Sequence, residues 1–209
     1  MALRYWINGG VDNNWGTSGN WSTTSGGGGG AGVPSSSDDV TFDGGGNVNC
    51  TIATSNRAAK TLTITSGYTS NITYTTNLSV SGSITINAGH SVTMSGAGTL
   101  NMVTASGTWT SNGYIYSIPL GINASTTITL ADDLKTTSNY TSNNGVVLTS
   151  NNLYVGGSVS VASGNASGTA NIILNGTGTL SSTGGASIKN NITINSASSV
   201  TLGNFTYNT

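Results

Sequence analysis

The chain has 209 residues with only 5% charged, five Lys and Arg against six Asp, and a formal net charge of −1; an ordinary soluble domain carries about 25% charged residues. So neutral a chain has no field to draw in nucleic acid or an anionic membrane, and neither is expected as a partner. Glycine, serine, threonine and asparagine supply 122 residues and glutamate none, so helix formers are scarce where β-branched residues abound, and an all-β fold is expected. The single cysteine, Cys50, leaves no intramolecular disulfide and reads as a small buried hydrophobe. No run of 18 apolar residues offers a membrane-spanning helix.

Residues 1–50 differ in texture from the rest of the chain. They hold Trp6, Trp15 and Trp21, the glycine run 26–30, Pro34 and the aspartates Asp12, Asp38, Asp39 and Asp43. The start shows no apolar targeting segment, so either another secretion route or maturation in the cytoplasm with release in a particle is expected. From Thr51 onward come very short alternating runs: Leu62-Thr-Ile64, Ile72-Thr-Tyr74, Leu78-Ser-Val80, Ile84-Thr-Ile86, Val92-Thr-Met94 and Leu100-Asn-Met102. Each sets two apolar side chains on one face with a polar one between, the period of a half-buried strand.

Spacing assembles the strands. Leu62 to Ile84, Leu78 to Leu100 and Leu100 to Ile122 are each 22 apart, whereas Ile128 to Leu148, Leu153 to Ile173 and Ile172 to Ile192 are each 20 apart. Three short strands in each such period describe the stacked coils of a parallel β-helix, or β-solenoid. The competing fold is a β-sandwich or jelly roll, whose strands are longer, about 5–6 residues. Glycines at Ser66-Gly67, Ser95-Gly96, Gly156-Gly157, Asn175-Gly176 and Gly184-Gly185 are expected to turn the corners with left-handed backbone. Equivalent positions on successive coils lie about 4.8 Å apart, so stacked Thr and Asn bond to one another where like charges would repel. Residues 105–125, with Trp109, Tyr114, Tyr116 and Pro119, interrupt the rhythm and are expected to bulge or protrude.

The body is therefore 51–209, and residues 1–50 form a capping or attachment segment. A solenoid end exposes an unpaired strand edge and an open core. Trp6, Trp15, Trp21, Val40 and Phe42 are expected to plug that end, with Pro34 in the same segment and Asp38 and Asp39 as charged guards of the edge.

The opening Tyr5-Trp6, Asn14-Trp15, Asn20-Trp21-Ser22, Val33-Pro34, Asp38-Asp39-Val40 and Phe42-Asp43 resembles a segment found in structural proteins of tailed bacteriophages, of the head-decoration, fibre and tail types. Similar openings precede β-helical regions of some bacterial surface proteins. The resemblance implies a virion protein, assembled in the host cytoplasm, that decorates or cements a capsid in contact with the major capsid protein or other virion proteins. A homotrimer is expected, since exposed Tyr, Ile and Val would be better buried against symmetry mates. The alternatives are a tail-fibre or adhesion module for host surface glycans, and a bacterial surface or filament solenoid.

Catalysis is not expected. Glycan cleavage needs two carboxylates about 5–9 Å apart across one bond, but Asp38/Asp39 and Asp132/Asp133 are sequence neighbours whose side chains point to opposite faces of a strand. His90 has no second histidine or adjacent acid and reads as a turn residue, and no serine has a base partner. Asp38, Asp39 and Asp43 with Asn47 and Asn49 form the one acidic cluster; turn bonding and edge protection are preferred there over Ca²⁺, and no metal or other cofactor is implied. Tyr68, Tyr74, Tyr114, Tyr116, Tyr140, Tyr154 and Trp109 are weighed as sugar-stacking surfaces against corner packing and subunit contacts.

Overall fold

A computed structural model describes residues 2–204 apart from 11, 88, 90, 104–105, 124–126, 144–146, 163–164 and 196; His90 lies outside the described residues. The chain winds as a parallel β-solenoid, with strands of mostly two to five residues repeating on three faces. The first face stacks Asp39–Phe42, Thr61–Ile64, Ile84–Ile86, Ser106–Thr110, Thr127–Leu130 and Val147–Ser150. The third face stacks eight strands from Arg57–Ala59 to Ser199–Leu202. Between them, the second face carries Cys50–Ile52, Asn71–Tyr74 and Thr93–Gly96, then a separate five-stranded sheet from Ile115–Tyr116 to Ile192–Ile194. All of these ladders are parallel, which excludes the sandwich.

Alternation does what it implied. Leu62 and Ile64, Leu78 and Val80, and Ile84 and Ile86 point inward and are at most 1% exposed, each such burial contributing about 1.5–3 kcal/mol. Outward polar positions form bonded ladders: Thr61 donates to Asp39 at 2.7 Å, Asn47 to Thr69 at 2.6 Å and Asn171 to Asn152 at 2.8 Å.

The register corrects two expected pairs. Leu100 stacks on Leu120 rather than Ile122, and Leu153 on Ile172 rather than Ile173. The coil shortens in the middle of the rod and lengthens again: Asp39 pairs with Thr61 and Ile72 with Met94, 22 residues on, Leu134 with Leu153, 19 on, and Thr177 with Ser199, again 22 on. The corner glycines also divide. Gly96 takes the expected left-handed backbone with φ +116°. By contrast, Gly156 and Gly176 are required by crowding, since a Cβ on Gly176 would fall 2.1 Å from the Gly156 carbonyl oxygen and one on Gly156 2.8 Å from that of Thr137.

The described part of the stretch 105–125, residues 106–123, neither bulges nor protrudes. Ser106–Thr110, Ile115–Tyr116 and Leu120–Asn123 occupy the three faces of a regular coil, and Trp109, Tyr114 and Tyr116 are buried inside it. Sequence rhythm breaks because this coil fills its core with large rings in place of Ile and Leu, not because the chain leaves the stack. Trp109 Nε1 donates to the Tyr116 hydroxyl at 2.8 Å, and the Tyr114 and Tyr116 rings meet edge-on at 4.9 Å. Here the second face is discontinuous, and the Tyr114 hydroxyl accepts the Met94 N–H at 3.0 Å, bridging the seam between its two sheets.

The last described coil differs from the one beneath it. At the last coil Ile194 is 48% and Leu202 63% exposed, although Leu174 and Leu180, directly beneath them in register, are 2% exposed.

Candidate functional site

Two regions stand out: the plug at the first coil and a groove on the second face. The solenoid begins at Asp39, since Asp39–Phe42 and Cys50–Ile52 already pair with the next coil; the expected boundary after residue 50 falls inside the first coil. Leu3–Trp6 runs parallel beneath Asp39–Phe42 and antiparallel to Trp21–Ser22, while Asn14 bridges to Thr51. Trp6, Trp15, Trp21 and Phe42 are fully buried and Val40 nearly so, with Pro34 buried in the loop between. Trp21 meets Trp15 at 4.6 Å and Trp6 at 5.2 Å, both edge-on, and Phe42 passes the contact to Tyr68 at 5.1 Å. Buried indoles usually satisfy their N–H groups; Trp6 Nε1 donates to the Val48 carbonyl and Trp21 Nε1 to that of Trp15, whereas Trp15 Nε1 has no partner among the described residues.

The aspartates do not guard an edge. Asp39 sits in a strand paired on both sides. Asp38 is 9% exposed and accepts from the Ser35 hydroxyl at 2.8 Å, the Ser35 N–H at 3.0 Å and the Ala2 N–H at 3.2 Å. Burial opposes its ionisation, but these bonds and the charge of Arg4 outweigh it and hold the carboxyl below its ordinary value of 3.8. Asp12 is lowered too, chiefly by the Asn14 N–H and the Thr17 hydroxyl. A group whose folded pKa lies below its unfolded one stabilises the fold above the unfolded value and loses that contribution as pH falls through the folded one. Stability is therefore expected to drop as the pH falls below about 3.8, and Asp38→Asn to be less stable near neutrality with a flatter acid loss. Urea unfolding near neutral pH and near pH ~3 measures both.

The other candidate acids serve the backbone as well. Asp43 accepts from the Gly45 N–H, Asp132 from those of Ser111 and Gly113, and Asp133 from that of Asn152. Asn47 and Asn49 bond to Thr69 and Asn71, so the acidic cluster is spent on separate partners; among the described residues no group of three or more His, Cys or Asp is placed to hold a metal. Cys50 is fully buried, and burial pushes its thiol well up. Of the seven aromatic residues weighed as surfaces, Tyr68, Tyr74, Tyr114, Tyr116, Tyr140 and Trp109 are core. Burial raises the pKa of the first five.

Only Tyr154 among these seven is partly open, and it belongs to the groove. A cleft of about 470 Å³ lies on the second face, lined by Ile115, Lys135, Thr137, Tyr154, Gly156 and Asn175 among others. Ile115, Lys135, Tyr154 and Ile173 are in register on successive coils, each flanked in its strand by side chains that point to the core. The Lys135 ammonium lies 5.2 Å from the centre of the Tyr154 ring. The seam explains the opening, since Ile115 begins a new sheet and is 53% exposed. Sequence reasoning missed the groove because it followed the 20-residue spacing only through inward residues; the same spacing applied to outward ones links Ile115, Lys135 and Tyr154.

The chain matches no family model, no curated protein and no solved structure.

Proposed function

We propose that this protein is a non-enzymatic structural component of a tailed-bacteriophage virion, a decoration protein that docks on the major capsid protein or a neighbouring virion protein and is assembled in the host cytoplasm. The observation that supports it is the plug: the residues that carry the phage resemblance, Trp6, Trp15, Trp21 and Phe42, come together as one buried cluster over the first coil. The opposite end leaves Ile194 and Leu202 exposed. Apolar side chains exposed on the last described coil suit contact with a neighbouring virion protein. The homotrimer stays within this proposal on a changed footing, since most of the tyrosines meant for subunit contacts are core; Leu3, Val48 and Ile115 are the exposed large apolar groups on the sides and plug among the described residues.

Capsids lacking the protein, incubated with purified protein, are expected to bind it and to release DNA at a higher temperature than bare capsids, and light scattering of the isolated protein to give three times the chain mass of 20.9 kDa. A monomer that capsids fail to bind removes both the decoration role and the trimer. The second reading, a module for host surface glycans, is favoured by the groove beside Tyr154, where an open aromatic ring adjoins polar groups.

A further inference from the structure

The groove has a definite chemical polarity. Among the described residues the Lys135 ammonium has the Tyr154 ring as its contact, and the acids nearest in sequence are occupied: Asp132 by Ser111 and Gly113, Asp133 by Asn152. The Asn175 side-chain carbonyl oxygen accepts from Asn195 at 2.6 Å, which leaves its amide N–H groups without a partner among the described residues. Tyr154 adds a hydroxyl that bonds to no described residue. Thr137 donates its own proton to the Tyr116 carbonyl at 3.4 Å, so its oxygen keeps lone pairs for a ligand hydroxyl. The free capacity is therefore an ammonium, an amide donor and a phenol donor, set against the apolar ring of Tyr154 and the exposed Ile115.

That combination calls for a ligand with a negative group, several oxygen acceptors and one apolar face. A single lysine, with no arginine fork or nest of backbone N–H groups, matches a monovalent carboxylate better than a phosphate. An aromatic ring beside amide and hydroxyl groups matches the C–H face of a pyranose and its substituents. The volume, about 470 Å³, falls within the roughly 300–1,000 Å³ of small-ligand sites. The floor is held clear by Gly156, where a side chain would strike Thr137.

We propose that this groove binds a carboxylate-bearing sugar residue of an acidic polysaccharide, with Lys135 on the carboxylate, Tyr154 against the ring face and Asn175 donating to a sugar oxygen. It deepens the glycan-binding reading and rests on it. The contact of ammonium and ring is retained in the complex, because the cation bridges carboxylate and π-face.

Calorimetric titration of the intact protein with oligogalacturonate, oligosialate, neutral maltooligosaccharide and polyglutamate tests it. One or both acidic sugars are expected to bind, with affinity falling at high salt, and neutral sugar and polyglutamate not to. Lys135→Gln is expected to weaken binding about tenfold, the scale of one lost hydrogen bond to a charged group, and Tyr154→Ala to weaken it by at least as much. Both side chains face outward, and unchanged unfolding midpoints will show that the variants fold. Acidic-sugar binding that neither variant alters, or polyglutamate binding as tight, overturns the proposal. Neutral-sugar binding indifferent to Lys135→Gln overturns the acidic specificity and leaves the glycan reading standing. Binding of no saccharide removes both.

Discussion

Trp21→Ala is expected to lower stability by about 3–5 kcal/mol, the cost of deleting a fully buried aromatic side chain. The indole is completely enclosed, contacts Trp15, Trp6 and Phe42 and donates to the Trp15 carbonyl at 2.7 Å. Its loss leaves a cavity at the point where Leu3–Trp6 and Trp21–Ser22 cover the first strand of the stack. Uncovering that strand exposes hydrogen-bonding groups that template association, so aggregation rising with concentration is expected to accompany the lower urea midpoint. A Trp21→Ala protein that is monodisperse and equally stable would show that the segment is not a plug.

Trp109→Ala is expected to cost a similar amount, about 3–5 kcal/mol, although the residue lies in the stretch where the sequence rhythm fails. The ring is 1% exposed, and its removal also strips the Tyr116 hydroxyl of the indole donor. A tryptophan on a protruding loop would change stability by no more than about 0.5 kcal/mol, so denaturant unfolding separates the two arrangements. Faster amide exchange at Met94 is expected as well, because its N–H bonds to Tyr114, whose ring packs on Tyr116.

Much of this fold can be read from the chain, and the failures have physical causes. Leu62, Leu78 and Ile84 reveal their partners because a lone polar residue separates the inward pair in each strand, fixing parity. Ile172-Ile173-Leu174 carries no such mark: three apolar residues in a row fit either parity, and the one-residue slip that puts Ile172 inside turns Ile173 out. Leu100 reads as continuing a 22-residue period because the shortening of the coil is a property of the whole turn and leaves no trace in the strand itself. The plug aromatics were legible as a group, since so many large rings in one short segment must be buried somewhere. What each aspartate bonds was not, because Asp38 owes its partners to a loop that brings Ser35 and Ala2 together. The groove depended on register, and could be found only after the coils had been aligned.

The last described coil carries the same ladder pattern as the coils beneath it. Leu3–Trp6 and Trp21–Ser22 cover the edge at the plug, whereas Ser199–Leu202 and Ile192–Ile194 offer the same inward residues and parallel ladder groups as the strands beneath them. A designed segment of about 20 residues with the alternation of Ile192-Thr-Ile194 and Val200-Thr-Leu202, joined there, would add one rung of about 4.8 Å and bury the apolar groups now in water. The rod thus works as a ruler with a fixed zero at the plug: each added rung lengthens its reach while the plug, the seam and the groove keep their places.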